Sequence, residues 1–171
     1  MSAGRQWFSK DNEMTTRLNR LNHIGMTVRD LDRSLAFYRN AFGLEPLFQG
    51  VGESPDIARS VGLDEARIRY AFLDLGNTRI ELLQYERPLG RAVHEARNCD
   101  VGAFHVCFDV DDLTAKYEQL MAMGIEFITS PIRLDDDQGA LAGLQYVYFK
   151  DPDGLILQLY EMPKGRVGGL R

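Results

Sequence analysis

The sequence has few of the features that mark disulfide-rich, membrane-spanning or nucleic-acid-binding proteins. Its 171 residues include two cysteines, Cys99 and Cys107, which are too few for a disulfide framework. No run approaches the roughly 18 apolar residues that a membrane-spanning helix needs. The net charge of −5 argues against a nucleic acid or an anionic membrane as partner. The N-terminus lacks the apolar stretch of a signal peptide, so we expect a cytoplasmic, globular protein.

Histidine is also scarce, yet two of the three histidines occupy matching places in a repeated motif. Setting His23 on His105 aligns residues 22–31 with 104–113, and a second stretch aligns 71–82 with 148–159. An internal duplication of this kind decides how the whole fold is interpreted. The aligned pairs include Val28 with Val110, Asp30 with Asp112, Leu31 with Leu113, Phe72 with Phe149 and Glu81 with Gln158.

Hydrophobic periodicity predicts the order strand, helix, strand, strand, strand in both halves. Asp30 is the expected N-cap of the first helix, and Asp111 or Asp112 that of the second. Less regular structure is expected at two places: a loop with one helical turn over residues 50–65, and a short strand over 126–131. The chain is therefore divided into a flexible leader (1–20), a first module (21–86), a linker (87–100), a second module (101–162) and a tail (163–171).

Several segments of the repeat resemble the vicinal oxygen chelate superfamily, which includes glyoxalase I, methylmalonyl-CoA epimerase, the extradiol dioxygenases and the fosfomycin- and bleomycin-resistance proteins. The segments that carry the resemblance are 22–25, 79–82, 102–105 and 148–154. The resemblance implies an α+β fold in which two tandem βαβββ modules form an incomplete, eight-stranded, barrel-like sheet around a metal cup. It also implies a homodimer that acts on a small molecule.

The resemblance places the ligands of one divalent metal ion per chain at His23, Glu81, His105 and Gln158. Two imidazoles, one carboxylate and one amide oxygen suit Zn, Ni, Co, Mn or Fe(II). A solvent-facing Glu81 is the competing interpretation, but an unpaired charge on an inner strand would be costly. Members of the superfamily usually have glutamate where this chain has Gln158. Because an amide cannot accept a proton near neutral pH, Glu81 is the candidate catalytic base.

Several side chains share a strand face with the ligands, among them Leu83 and Ile156. Of this group, the residues expected to line the substrate pocket are Thr27, Tyr85, Cys107 and Tyr160. The leading hypothesis is a lyase or isomerase of the glyoxalase and epimerase type, which acts on a small carbonyl substrate through a metal-stabilised enolate. The alternatives are an extradiol-type Fe(II) dioxygenase and a non-catalytic binding or resistance protein. Residues 151–154, Asp-Pro-Asp-Gly, are expected to serve only as a turn, and Glu161 is expected to face solvent.

Overall fold

The computed structural model describes residues 18–91 and 97–163. The predicted leader up to residue 17, His94 with its neighbours in the linker, and the tail from residue 164 lie outside the described residues. No helix in the described ranges is long and apolar enough to cross a membrane.

The first module contains β1 (Ile24–Thr27), α1 (Leu31–Phe42), β2 (Pro46–Glu53), α2 (Pro55–Ser60), β3 (Arg67–Asp74) and β4 (Arg79–Arg87). The second contains β5 (His105–Asp109), α3 (Leu113–Ala122), β6 (Ile132–Arg133), a short 3-10 helix (Gly139–Leu141), β7 (Gln145–Lys150) and β8 (Ile156–Glu161).

Both long helices begin where the sequence places their caps. The Asp30 carboxylate accepts a hydrogen bond from the Arg33 backbone N–H at 3.0 Å, and Asp112 accepts one from Ala115 at 2.9 Å. Each satisfies an N–H group that the first helical turn leaves unpaired. At the other end of α1, Gly43 adopts a left-handed conformation with φ of 70°, which ends the helix without steric strain.

The strands form two four-stranded sheets with the orders β1-β4-β3-β2 and β5-β8-β7-β6. Strand β1 runs parallel to β4, and β5 runs parallel to β8. The other neighbouring strands are antiparallel. The predicted α+β fold of two βαβββ modules is confirmed. Among the described strands the two sheets are not joined by a ladder, so the barrel is not closed.

Two local elements differ from the sequence-based expectation. Residues 126–131 contribute only an isolated bridge between Phe127 and Phe149, and the strand forms later, at Ile132–Arg133. Strand β2 continues to Glu53, and α2 is a six-residue helix instead of a single turn in a loop. Ser54 caps α2 by accepting a hydrogen bond from the Ile57 backbone N–H at 3.2 Å.

The strand register corrects the alignment of the repeat at the second hairpin. Phe72 lies opposite Glu81 on the neighbouring strand, whereas Tyr148 lies opposite Gln158. The structural counterpart of Phe72 is therefore Tyr148, not Phe149, because the second hairpin is one residue longer than the first. Phe149 points to the other face of its sheet and is fully buried, as expected when a register moves by one residue.

One hydrophobic core lies beneath both helices. It combines the inner faces of α1 and α3 with alternate residues of both sheets, which leaves the other face of each sheet without a long helix. We call these second faces the open faces. The largest fully buried side chains of the core are Met26, Leu31, Tyr38, Leu73, Ile80, Leu82, Leu113, Leu120, Val147, Phe149, Leu157 and Leu159.

The Asp-Pro-Asp-Gly turn joins the two modules in addition to reversing the chain. The buried Asp151 carboxylate accepts a hydrogen bond from the Tyr38 hydroxyl of α1 at 3.3 Å. Asp153 accepts hydrogen bonds from the Arg33 guanidinium at 2.5 Å and from the Arg29 backbone N–H at 3.1 Å. The expectation that this segment is only a turn was therefore incomplete.

Candidate functional site

His23 and Glu81 meet on the open face of the first sheet. The Nε2 atom of His23 lies 3.2 Å from Oε2 of Glu81, and its Nδ1 atom lies 2.9 Å from Oδ1 of Asn22. With the Asn22 oxygen as acceptor, Nδ1 carries the ring proton of a neutral imidazole. The Nε2 lone pair then faces a carboxylate oxygen, and two such groups need a proton or a cation between them.

The geometry of this pair fits a divalent metal ion. Two ligand atoms bound at right angles about 2.1 Å from one ion would lie about 3.0 Å apart, close to the distance between His23 and Glu81. The Glu81 side chain is 19% exposed, and its ion pair within the described residues is with His23 alone. Asn22 is placed to orient the imidazole, as the outer partner of a metal-binding histidine commonly does.

The second module places His105 and Gln158 in the equivalent arrangement. Cys107 lies opposite Gln158 on the neighbouring strand, and His105 precedes Cys107 by two residues on the same face. In the first module, Gly25 lies opposite Glu81 and follows His23 by the same interval. Gln158 is 8% exposed.

Each histidine also packs against an aromatic ring from the third strand of its module. The His23 and Phe72 ring centroids are 5.4 Å apart, and those of His105 and Tyr148 are 5.3 Å apart. Both contacts are edge-on, which is a favoured geometry for aromatic rings. The sequence did not identify these two aromatic residues or Asn22 as parts of the site, although Asn22 stands beside His23 in the first motif.

The structure places the four predicted ligands in two separate sets, one in each module. His23 contacts Glu81, whereas His105 and Gln158 share the open face of the second sheet. Within residues 18–91 and 97–163, no three His, Cys, Asp or Glu side chains form a cluster able to hold a metal ion. Each module therefore presents a half-site: His23 with Glu81, and His105 with Gln158.

The predicted pocket residues lie on the same open faces as the half-sites. Thr27 is opposite Leu83, two residues beyond Glu81, and Tyr160 is opposite Tyr146. Tyr85 packs beneath α2, and Cys107 lies opposite Gln158 as described. Burial, and then the nearby Asp109, raise the pKa of the Cys107 thiol to about 11. Without a metal ion, this side chain is therefore a neutral thiol at neutral pH.

Glu161 has a structural role that the sequence did not reveal. Its carboxylate accepts a hydrogen bond from the Leu113 backbone N–H at 2.7 Å, at the start of α3. Gln84 does the same for Leu31 at the start of α1, at 2.9 Å. Because these acceptors follow Glu81 and Gln158 by three residues, each ligand-bearing strand is tied to the helix of its own module.

A cavity of about 560 Å³ lies away from the two half-sites. It is an open cavity bordered by the end of α1, the turn between β3 and β4, and the start of α3, and none of the four predicted ligands lines it. Its charged lining includes Asp111 and Lys116, and the Lys116 ammonium donates a hydrogen bond to the Ala41 carbonyl. This cavity belongs to the joint between the modules and not to the candidate site.

Comparison with known proteins agrees with the duplicated fold. The family model of the glyoxalase/bleomycin resistance protein/dioxygenase superfamily matches residues 20–159. A 2-epi-5-epi-valiolone epimerase from Actinomyces sp. is 33% identical over 150 residues, which cover 85% of this chain and 80% of that protein. The human mitochondrial methylmalonyl-CoA epimerase is 29% identical over 146 residues, which cover 83% of this chain and 73% of that protein.

Solved structures show the same fold at lower sequence identity. A glyoxalase family protein from Bacillus cereus superposes with a TM-score of 0.76 at 22% identity, covering 88% of this chain and 98% of that one. The fosfomycin resistance protein FosX from Listeria monocytogenes, solved with Mn(II) and sulfate, gives a TM-score of 0.56 at 17% identity, with 88% and 98% coverage.

Proposed function

Because the chain belongs to the glyoxalase/bleomycin resistance protein/dioxygenase superfamily, we propose that it is a metal-dependent isomerase of the epimerase type. It would remove a proton from the carbon next to a carbonyl group, and a proton from solvent would then be added to the opposite face of that carbon. The observation that carries this proposal is the 3.2 Å approach of His23 to Glu81 on an open face. The epimerase names of the relatives at 33% and 29% identity support the same class of reaction.

His23, Glu81, His105 and Gln158 would hold the ion, which when bound acts as a Lewis acid on the substrate carbonyl. Glu81 would take up the proton, since a carboxylate has a second oxygen that can accept a proton while the first binds the ion, whereas each neutral imidazole has one lone pair and would use it for the ion. Gln158 is a neutral oxygen donor and would bind or orient. Asn22 would keep the His23 ring in the tautomer that presents Nε2.

A complete site requires the two half-sites to come together, and we propose that a second copy of the chain supplies the missing half. Each copy would then contribute His23 and Glu81 to one site and His105 and Gln158 to the other. A mixture of the variants His23→Ala and His105→Ala tests this. A mixed dimer would contain one site with both histidines intact and should bind one of its two metal ions. Because random exchange makes about half of the dimers mixed, about a quarter of the wild-type metal content should return on mixing. If the sites lie within single chains, mixing restores nothing.

Metal content tests the ligand set independently of the reaction. The purified protein should contain about one divalent ion per chain, and His23→Ala combined with His105→Ala should remove it. Metal content that stays unchanged in that double variant, with the circular dichroism of the folded protein preserved, would contradict the ligand set.

The reaction is tested by proton exchange in deuterated water. The metal-loaded protein is incubated with methylmalonyl-CoA, with a 2-oxoaldehyde hemithioacetal and with a catechol, with and without oxygen. We expect deuterium at the carbon next to a carbonyl, and we expect Glu81→Gln to abolish it. Ring cleavage of the catechol that depends on Fe(II) and oxygen would overturn the proposal in favour of a dioxygenase. If a compound binds but none of the three takes up deuterium or is cleaved, a binding or resistance protein would be favoured.

A further inference from the structure

The open cavity at the joint between the modules has a partly apolar lining. Its volume of about 560 Å³ lies within the roughly 300–1,000 Å³ of sites that bind small organic groups. In this lining the rings of Phe42 and Phe108 stack with their centroids 4.5 Å apart. Leu44, Leu75 and Val110 complete the apolar part, and all five side chains are half-buried. They therefore leave apolar surface in contact with water, which an occupant could cover.

The charged groups of this lining are mainly acidic. They are the carboxylates of Asp109, Asp111 and Asp112 and the ammonium group of Lys116. The Lys116 ammonium already donates a hydrogen bond to the Ala41 carbonyl, and the three carboxylates outnumber it. An occupant that combines apolar groups with positive charge would therefore be complementary to this cavity.

The described chain begins close to the same cavity. Ile24, the first residue of β1, lies opposite Ile80 of β4, which in turn lies opposite Leu73 of β3. Because neighbouring strands are about 4.8 Å apart, Leu75, two residues beyond Leu73, is about 12 Å from Ile24. None of residues 18–23 lines the cavity. The described start of the chain therefore runs near the cavity without filling it.

The 17 residues that precede the described chain contain an apolar pair flanked by positive charges. Trp7 and Phe8 are adjacent, Arg5 and Lys10 stand two residues to either side, and residues 1–10 include no acid. From Phe8 to the described chain is a step of ten residues. Ten extended residues can span up to about 33 Å, so this segment has the length to reach the cavity.

We propose that the segment 1–17 is the occupant of this cavity, with Trp7 and Phe8 against its apolar lining and Arg5 and Lys10 beside its carboxylates. Each aromatic side chain buries about 150–250 Å² when it is covered, and that burial stabilises the docked segment. The segment then bridges α1 and α3 and strengthens the joint between the modules. This inference is independent of the proposed metal site, which lies on the open faces.

The first experiment uses intrinsic fluorescence, because Trp7 is the one tryptophan of the chain. In the full-length protein we expect Trp7 to emit at a shorter wavelength than N-acetyltryptophanamide and to be quenched several-fold less by acrylamide. Emission and quenching equal to those of the free compound would show an exposed indole and would overturn the proposal.

Variants of the lining should release the indole. Ala115 of α3 is exposed and lines the cavity, so Ala115→Arg fills it and adds positive charge without removing a core contact. We expect emission at a longer wavelength and stronger quenching. Ala122→Arg is the matched control, because Ala122 is an exposed alanine of the same helix outside the lining. Asp111→Lys should also raise the quenching, whereas Glu118→Lys, an exposed acid of α3 outside the lining, should not. Equal spectra within each pair of variants would contradict the proposal.

The second experiment locates the indole without any change to the cavity. The Leu and Val methyl groups are labelled with ¹³C in the wild type and in Trp7→Ala. Because an aromatic ring shifts the resonances of the groups it covers, the methyl resonances of Leu44, Leu75 and Val110 should move in Trp7→Ala. Gln6→Ala, the control in the same segment, should leave them in place. If Trp7 is shielded from acrylamide but these resonances do not move in Trp7→Ala, the segment docks elsewhere and the proposal is wrong.

Discussion

Removal of the Asp151 carboxylate should weaken the joint between the two modules. Its side chain is 5% exposed and accepts three hydrogen bonds. The donors are the backbone N–H groups of Asp153 and Leu155, at 2.9 and 2.8 Å, and the Tyr38 hydroxyl at 3.3 Å. Tyr38 is fully buried, so its hydroxyl has no access to water as a substitute partner.

The magnitude follows from these three bonds. Each contributes about 1 kcal/mol net, so Asp151→Ala removes about 3 kcal/mol, offset in part because a buried charge is removed with them. For a chain of this size, about 2 kcal/mol of net loss lowers Tm by roughly 4–8 °C. Asp151→Asn should stay within about 1 kcal/mol of the wild type, since its oxygen accepts from the two N–H groups and its amide donates to the Tyr38 oxygen.

The pH dependence provides a second test. Burial is the main cause that raises the pKa of Asp151 above its ordinary value of 3.8. The folded protein therefore binds this proton more tightly than the unfolded chain does. The contribution of Asp151 to stability is largest at low pH, falls as the pH rises from about 3.8 through the raised pKa, and is then constant. Because the amide introduced by Asp151→Asn does not titrate, Tm of this variant relative to wild type should increase over this window.

Thermal unfolding followed by circular dichroism between pH 3.5 and pH 8 measures both effects. The comparison of the two proteins is needed because Asp32 and Glu53 have lowered pKa values, through hydrogen bonds from arginines, and contribute the opposite trend. If Asp151→Asn loses as much stability as Asp151→Ala, or if its Tm difference from wild type is independent of pH, the reasoning is refuted.

Three further predictions concern the ligands, a helix cap and a close contact. Gln158→Ala should raise the metal dissociation constant less than Glu81→Ala, since a neutral amide binds a cation more weakly than a carboxylate; a larger loss for Gln158→Ala in a metal titration would contradict this. Glu161→Ala should lower the free energy of unfolding, measured with urea, by about 1 kcal/mol, because it removes the hydrogen-bond acceptor at the start of α3. Glu161→Gln should lower it by less. Gly50→Ala should lower the free energy of unfolding by about 1–3 kcal/mol, because its Cβ atom would lie 2.5 Å from the Tyr70 hydroxyl oxygen. Gly90→Ala, with no atom within 4 Å of its Cβ, is the control and should change Tm by less than about 1 °C.

Much of the fold was predictable because the repeat fixes strand parity. Once His23 and His105 are aligned, the alternation of side chains along a strand decides which neighbours share their face. The contact between His23 and Glu81 agrees with that expectation. The error at Phe149 has the same origin, since one additional residue in the second hairpin reverses the face of every residue that precedes it.

The helix α2 and the end of β2 were not predictable from local pattern. Two glycines, Gly50 and Gly52, lie in this part of β2, and glycine weakens the signal of a strand. The structure shows why glycine occupies both positions. The Tyr70 hydroxyl occupies the space above Gly50, and Ile57 of α2 occupies the space above Gly52. These are contacts between distant parts of the chain, and no short window of sequence contains them.

The differences between the two modules carry more functional information than their similarity. Leu75 and Asp151 close equivalent hairpins, through backbone hydrogen bonds of 3.0 and 2.9 Å. Asp151 is bonded to the other module, whereas Leu75 borders the 560 Å³ cavity, so the duplicated framework has been adapted differently at its two joints. The same divergence occurs at the ligands, where Glu81 and Gln158 hold equivalent positions. If both were carboxylates, either half-site could accept a proton. With an amide in one of them, the proton transfer that we propose is restricted to Glu81.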